Sequence, residues 1–230
     1  MKQQQLTGCT ISTPNCKCFE KLTPNEIDLL YANSAVVRYK KGEVICKQGS
    51  LVSQILFMEK GLAKVYIEQN DESLILKMIP DGNLFGLDSM SEESNQLPYS
   101  ISAYIESDVR QIELKIFKEI LSNNANFALE IINILNSGNL QISARFFCLT
   151  HKQSFGRLAD TLLCFADRIF KKTTFELPIS RKDLADISGL SPETVTRMLK
   201  KFTDEGLIAQ TGKRFEIKDY VRLTQISANG

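Results

Sequence analysis

Hydrophobic and polar residues alternate through the first half of the chain in short segments that glycines separate. Between about Val36 and Leu114 these segments read VVRY, EVICKQG, ILFMEKG, AKVYIE, LILKMIP, ISAYI and VRQIEL. Turns between such segments need the positive φ that glycine adopts at little cost. The glycines at the segment ends are Gly42, Gly49, Gly61 and Gly82. This spacing predicts a small all-β barrel or roll.

A helical period replaces the alternation after Ile116. Hydrophobic residues then recur at intervals of three and four, as in the seam of a two-stranded coiled coil. The seam positions are Ile132, Leu135, Asn139, Ile142, Phe146 and Leu149. Paired with its symmetry mate, Asn139 would fix the register of a dimer, whereas the alternative is an amphipathic helix packed on its own domain. A further helix is predicted over 155–170, with 171–174 as a link to the C-terminal part.

The last third of the chain carries the signals of two short helices and the turn between them. Ser180 is an N-cap with Asp183 three positions later, and Gly189 can take the left-handed conformation that ends a helix. Ser191 then caps a second helix that has Pro192 at its first position. The inward face of this second helix consists of Val195, Met198, Leu199 and Phe202, and Gly206 ends it. The pattern predicts a helix-turn-helix, and the following segment IAQTGKRFEI predicts a hairpin wing.

The second helix of such a motif enters the major groove of DNA, so its outward side chains are candidate base readers. Arg197 can bond guanine O6 and N7, Glu193 can accept from a cytosine amino group, and Thr196 can touch a thymine methyl. The side chains placed for DNA phosphates are Ser180, Arg181, Ser191, Lys200, Lys201, Lys213 and Arg214. The alternative is a solvated helix face on which Glu193 and Arg197 form an i, i+4 pair.

Composition limits the class of protein. Hydrophobic residues make up 43% of the chain and charged residues 24%, which is typical of a globular protein with a core. No hydrophobic run approaches the ~20 residues that cross a bilayer, and no signal peptide is evident, so we expect a cytoplasmic protein with no membrane partner. In that reducing compartment the six cysteines favour metal binding or burial over disulfides. Without a recognisable catalytic motif, we predict that the chain is not an enzyme.

The segment ISRKDLADISGLSPETVTRMLKKFTDEGLI resembles the DNA-binding domain of the cyclic-AMP receptor protein and fumarate–nitrate regulator family, the Crp/Fnr family. KKGEVICKQG, FMEKGLAKVY and PDGNLFG resemble its cyclic-nucleotide-binding roll in matching order, and GRLADTLLCFA resembles the stretch after its long dimer helix. The resemblance covers about Leu22 to Ile217. It implies a homodimer that reads an inverted repeat in double-stranded DNA, with RNA polymerase as a further partner and an effector controlling how the recognition helices are presented.

The implied fold class is α+β, with a cyclic-nucleotide-binding-like β-roll, a long dimerisation helix and a C-terminal winged helix-turn-helix. The predicted domains are a flexible cysteine-containing arm over 1–20, a β-roll effector domain over 21–121, a dimerisation helix over 122–150 and a winged helix-turn-helix domain over 151–230. Glu193 and Arg197 match the family's shared Glu and Arg, and Thr196 is nearest the hydroxyl residue of the fumarate–nitrate type. Pro192 stands where the cyclic-AMP type has an additional arginine.

The resemblance also indicates an effector pocket, whose residues here are Gly82, Gly86, Leu87, Tyr99, Ser100, Ile142 and Ser143. The family binds the nucleotide with a Gly-Glu pair followed by an Arg-Ser pair, but this chain has Leu87 for the Glu and Tyr99 for the Arg. Without the arginine, a buried phosphate has no counter-charge, at a cost on the order of several kcal/mol. We therefore expect an unknown small-molecule effector and no response to cyclic AMP.

Cys9, Cys16 and Cys18 are similar to the cysteine arm of the fumarate–nitrate type, and thiolates are the ligands that iron–sulfur clusters need. That type takes a fourth cysteine from the roll, where this chain has Arg110. We therefore expect no cofactor, with a metal, an iron–sulfur cluster or a haem on His151 as alternatives. The alternative functions are a redox-, nitric-oxide- or metal-sensing regulator that uses this arm, or a ligand- or protein-interaction module that does not bind DNA.

Overall fold

The computed structural model describes residues 11–12, 15–51, 53–70, 72–90 and 96–229. The chain forms two compact units. The N-terminal unit comprises Pro14–Ser73 and Met78–Asn139, and the C-terminal unit comprises Met1–Thr13, Leu74–Lys77 and Leu140–Gly230. Among the helices described, none combines the length and the hydrophobicity that a membrane crossing requires.

Two four-stranded sheets form the predicted roll. The strands are β1 (Ser34–Tyr39), β2 (Val44–Cys46), β3 (Gln54–Lys60), β4 (Leu62–Gln69), β5 (Glu72–Pro80), β6 (Leu84–Phe85), β7 (Ser100–Ala103) and β8 (Ser107–Glu113). Their order is β1-β8-β3-β6 in one sheet and β2-β7-β4-β5 in the other. The antiparallel pair β1 and β8 is in register from Ser34 opposite Ile112 to Tyr39 opposite Ser107. The prediction of a β-roll is confirmed.

The tight turn between β3 and β4 shows why a glycine stands there. Gly61 has φ +130°, and a Cβ on it would overlap the Ser107 side chain. Its amide donates to Asp81 Oδ1 at 2.6 Å. Both the backbone conformation and the close approach therefore require glycine at this position.

Helices α1 (Pro24–Ala32) and α2 (Leu114–Asn123) pack on this roll. Thr23 and Glu26 form a capping box that starts α1. The core here includes Leu30, Ile55, Ile112 and Phe117, each no more than 2% exposed. Hydrophobic burial of this kind is the main source of stability for the unit.

The predicted flexible arm over 1–20 is packed, not loose, from Asn15 onward. The Cys16 amide donates to the Gly82 carbonyl at 2.7 Å, and Cys18 is fully buried in the same core. The Phe19 and Phe57 rings lie 4.8 Å apart between centroids. Hydrophobic side chains of the arm account for this packing on the roll. The absence of a regular hydrophobic period in residues 1–20 did not indicate it.

The long helix α3 runs from Ala125 to His151, so it begins three residues later than predicted. The physical reason is Asn124, whose extended backbone separates α2 from α3 and whose side-chain oxygen accepts from the Phe127 amide at 2.9 Å. An asparagine in that role is an N-cap, so α3 begins directly after it and is separate from α2.

The rest of the C-terminal unit consists of short helices and a three-stranded sheet. The elements are α4 (Ser154–Cys164), a π-helical turn (Phe165–Ile169), β9 (Thr174–Glu176), α5 (Arg181–Ser188), α6 (Pro192–Asp204), β10 (Ile208–Thr211), β11 (Arg214–Ile217) and α7 (Tyr220–Asn229). The sheet order is β10-β11-β9. The predicted link over 171–174 therefore ends one residue earlier, since Thr174 belongs to β9. Helix α7 was not predicted, although Asp219 caps it by accepting from the Arg222 amide at 2.9 Å.

Candidate nucleic-acid interface

Helix α5 begins and ends as its sequence predicts. The Ser180 hydroxyl accepts from the Asp183 amide at 3.0 Å, and the Asp183 carboxylate accepts from the Ser180 amide at 3.1 Å. Gly189 has φ +61°, and the Leu190 amide reaches back to the Ala185 carbonyl at 3.0 Å. This left-handed cap turns the chain from α5 into the second helix.

Helix α6 has one buried and one exposed face. Ser191 caps its N-terminus by accepting from the Thr194 amide at 3.2 Å, with Pro192 in the first turn. The predicted inward side chains are all buried: Val195, Met198, Leu199 and Phe202. At the C-terminus the Leu207 amide donates to the Phe202 carbonyl at 2.9 Å, and Gly206 has φ +71°, which completes a second left-handed cap.

The three predicted base readers lie together on the exposed face of α6. Glu193, Thr196 and Arg197 are all exposed. Hydrogen bonds from its own amide and from the Ser191 side chain hold the pKa of Glu193 below its ordinary value, so its carboxylate is an acceptor at neutral pH. The Thr196 hydroxyl donates to the Pro192 carbonyl at 2.8 Å. The hydroxyl hydrogen is therefore engaged within the helix, whereas the methyl group and the oxygen lone pairs stay available for contacts.

The alternative of a Glu193–Arg197 pair is not realised. No ion pair among the described residues joins these two side chains. The i, i+4 pair on this helix is instead Lys201 with Glu205, at 3.9 Å. The guanidinium of Arg197 thus stands exposed without a carboxylate partner in the described part of the chain.

The predicted phosphate contacts fall into two groups. Lys200, Lys213 and Arg214 are exposed and belong to none of the ion pairs seen in the described ranges. The others interact within the protein. Lys201 Nζ lies 4.7 Å from the centre of the Phe155 ring, the Arg181 guanidinium lies 5.6 Å from that of Phe215, and the Ser180 and Ser191 hydroxyls cap helices.

The wing is a hairpin with a two-residue turn. Ile208 pairs with Ile217 and Thr211 with Arg214, so the turn residues are Gly212 and Lys213. Gly212 has φ +61°, as a tight hairpin turn requires. Strand β9, which the sequence did not reveal, pairs with β11 and supports this wing from the other side.

Two family profiles match the chain. The Crp-like helix-turn-helix domain matches residues 156–226, and the cyclic nucleotide-binding domain matches residues 36–124. The chain belongs to the Crp/Fnr family of transcription regulators. As a Crp/Fnr regulator it carries a DNA-binding helix-turn-helix, and the prediction that it is not an enzyme is confirmed by this membership.

Curated relatives and solved structures agree with the Crp/Fnr assignment. The chain is 27% identical to electron transport regulator A of Shewanella oneidensis, over 99% of this chain and 95% of the relative. It is 25% identical to the fumarate and nitrate reduction regulatory protein of Escherichia coli K12, over 100% and 95%. The structure of FixK2 from Bradyrhizobium japonicum has a TM-score of 0.79 at 22% identity, covering 86% of this chain and 98% of FixK2.

The predicted dimer seam of this Crp/Fnr chain lies on the outside of α3 except at its last position, Leu149, which is half-buried. Ile132 is 50% exposed, Ile142 64% and Phe146 67%, and Leu135 and Asn139 are exposed as well. A separate set of α3 side chains is buried, among them Phe127, Ile131, Gln141, Arg145 and Cys148. Helix α3 therefore has one face that packs within the chain and a separate exposed set of hydrophobic side chains.

Most of the predicted effector residues of the roll are buried, bonded within the protein or part of turns. Leu87 is 8% exposed and belongs to the hydrophobic core around Phe117. Tyr99 is 6% exposed, and the Ser100 hydroxyl accepts from the Gln48 amide at 3.0 Å. Gly82 and Gly86 form turns with positive φ. Ile142 and Ser143 belong to the C-terminal unit, where both are exposed.

The cysteine arm holds a bonded pair of sulfurs. Cys16 and Cys18 form a disulfide, which corrects the expectation that metal binding or burial is favoured over disulfides. Cys9 lies outside the described residues, and no group of three or more metal-ligating side chains occurs within the described ranges. The exposed His151 stacks on Phe147 at 4.6 Å, and Arg110 forms an ion pair with Glu59.

Proposed function

We propose that this Crp/Fnr chain acts as a homodimer that reads an inverted repeat through the exposed face of α6. Arg197 and Glu193 contact base edges, and Thr196 contacts a thymine methyl group. Lys200, Lys213 and Arg214 neutralise phosphates beside them. The observation that supports this proposal most strongly is the exposed Arg197 with no ion-pair partner among the described residues, on a helix whose other face is fully buried.

Dimerisation through α3 is the second part of the proposal. Its exposed hydrophobic seam has the spacing of a two-stranded coiled coil, and Asn139 at the centre sets the register. A two-fold axis along this seam would present two copies of α6 to two half-sites. For this class of motif the half-sites lie about one helical turn apart, roughly 34–36 Å. RNA polymerase is the further partner that family membership suggests.

We further propose that the controlling signal is not a cyclic nucleotide and that the regulator works without a cofactor, in the cytoplasm. Leu87 in the hydrophobic core supports this, since it replaces the ribose-binding carboxylate with a buried apolar side chain. Tyr99 replaces the phosphate-binding arginine. An unidentified small molecule remains the proposed effector.

A second candidate is a redox-responsive regulator that uses the N-terminal cysteines. It is favoured by the adjacent sulfurs of Cys16 and Cys18 and by the complete burial of Cys18 in the core of the N-terminal unit. Reduction of this pair would free two thiols next to that core. Anaerobic DNA-binding measurements with and without a dithiol reductant distinguish this candidate from an effector bound in the roll.

Salt dependence of DNA binding tests the main proposal. The probe is a duplex that the protein itself enriches from a random pool, measured by fluorescence anisotropy at several salt concentrations. Replacing Lys200 with alanine removes one phosphate contact per half-site, so the slope of log K against log salt should fall by about 2 for the dimer. Lys118→Ala, in α2, is the control and keeps the wild-type slope. An equal slope for Lys200→Ala would contradict the phosphate assignment.

A further inference from the structure

Arg145 is an unusual charge in the C-terminal unit because it is buried and no carboxylate of the described residues lies at ion-pair distance. Its side chain lies on α3, and the residue is only 6% exposed. The nearby Asp160 is bonded instead to Lys152 at 3.0 Å and to the Ser227 hydroxyl at 3.1 Å. Burying a charge costs free energy unless hydrogen bonds offset the loss of hydration, so the acceptors of this guanidinium decide its role.

The guanidinium of Arg145 joins two main-chain carbonyls that are far apart in sequence. Its Nη2 donates to the Ile187 carbonyl, in the last turn of α5, and to the Ile75 carbonyl of β5 at 3.4 Å. The last carbonyls of a helix have no partner within the helix, and a cation there is stabilising. Arg145 therefore caps the first helix of the helix-turn-helix and connects it to β5.

Arg157 contacts the neighbouring end of α3. Its Nη1 donates to the Leu149 carbonyl at 3.2 Å. A Cβ on Gly189 would lie 2.8 Å from Leu149 Cδ2 and 3.3 Å from Arg157 Nη1, so the turn of the helix-turn-helix abuts the end of α3. The Nε atoms of Arg145 and Arg157 are both buried and have no hydrogen-bond partner among the residues that the structure describes. Arg145 thus bonds the end of α5, and Arg157 bonds the end of α3 beside the turn.

We propose that Arg145 is a positioning residue that couples strand β5 to the helix-turn-helix and fixes the orientation in which α6 is presented. Residues Leu74–Lys77 of β5 belong to the C-terminal unit, whereas the rest of the strand continues into the N-terminal unit. A shift of β5 would remove one of the two acceptors of Nη2. Only the bond from Arg145 to the Ile187 carbonyl would then remain, and α5 would be attached less firmly to α3. The effect on DNA rests on the proposed function, whereas the coupling itself does not.

Hydrogen exchange of the free protein tests the coupling without DNA. In Arg145→Met the Gly189 and Leu190 amides, which cap α5, and the amides of Leu74–Lys77 should exchange about tenfold faster than in wild type. Amides of α6 and α7 should keep their rates. Arg168→Met, which removes an exposed arginine of the same unit, is the matched control and leaves all of these rates unchanged.

Three outcomes would overturn the coupling. These are unchanged exchange at both segments, faster exchange at α5 alone, or a uniform increase through the whole unit, which marks a purely structural role. If Arg145→Met does not fold, Arg145→Lys is measured instead, because lysine keeps the charge but not the planar fork, and an intermediate acceleration is expected at both segments. A failure of the wild type to bind DNA would count against the proposed function. It would leave the coupling untouched, because hydrogen exchange is measured on the free protein.

Discussion

The exposed face of α6 is predicted from its own helical pattern, whereas the effector positions of the roll are predicted from the family resemblance, and the two regions differ in the structure. On α6 the side chains that could meet a ligand point outward, and Arg197 has no carboxylate partner in the described part of the chain. In the roll, Leu87 packs in the core and the Ser100 hydroxyl is bonded to the Gln48 amide. A shared fold does not fix which ligands its sites bind, so each site has to be judged on its own residues.

The largest expected effect comes from restoring the family's carboxylate in the roll. Leu87→Glu places an unpaired charge in a hydrophobic core and should lower the free energy of unfolding by about 3–5 kcal/mol. Urea denaturation measures this loss. Leu87→Met, which keeps the volume and the apolar character, should cost less than about 1.5 kcal/mol. Wild-type stability together with new cyclic-AMP binding in Leu87→Glu would show that this position is a ligand site after all.

The seam of α3 is the next test, because it would present two α6 helices together. The double change Ile142→Glu and Phe146→Glu should give a monomer by sedimentation analysis. Its DNA affinity should fall by a factor on the order of 100, as the second half-site no longer adds to binding. Asn133→Glu, which is also exposed on α3 but off the seam, should stay dimeric. A dimeric double variant would place the interface elsewhere.

On α6 itself, Arg197→Ala should remove ~1–3 kcal/mol of discrimination per half-site. Binding to a selected duplex then approaches binding to a scrambled one, while the thermal midpoint stays near wild type because the side chain is exposed. Competition anisotropy with the two duplexes gives the ratio. Retained selectivity would rule out Arg197 as a base reader.

The smallest expected effect concerns the turn at Gly189, which joins α5 to α6. Gly189→Ala forces a side chain into positive φ against Leu149 and should destabilise the C-terminal unit by roughly 1 kcal/mol. Gly138→Ala makes the same chemical change in the interior of α3. Apart from the adjoining residues and the helix's own backbone, no atom of the described residues lies within 4 Å of the added carbon, so this change should stabilise by about 0.5–1 kcal/mol. Calorimetry should therefore give opposite signs, and equal signs would refute the account of the turn.

Local signals explain what could be predicted from the sequence. The caps at Ser180 and Ser191 and the turn at Gly189 depend on neighbours within a few residues, so the helix-turn-helix was predicted nearly to its ends. Strand β9 has three residues and exists because it pairs with β11, some forty positions later, which no local pattern encodes. The two carbonyls that accept from Arg145 are also far from it in sequence, so no local pattern indicates these bonds. From the helical period alone, Arg145 is simply one more position on α3.

The most direct test of the central claim is selection of DNA from a random duplex pool by the wild-type protein and by Arg197→Ala. We expect the wild type to enrich a two-fold symmetric motif whose half-sites lie about one helical turn apart, with a guanine that Arg197→Ala no longer selects. Enrichment of an asymmetric motif, or of the same guanine by both proteins, would contradict the claim that two copies of α6 read DNA through Arg197.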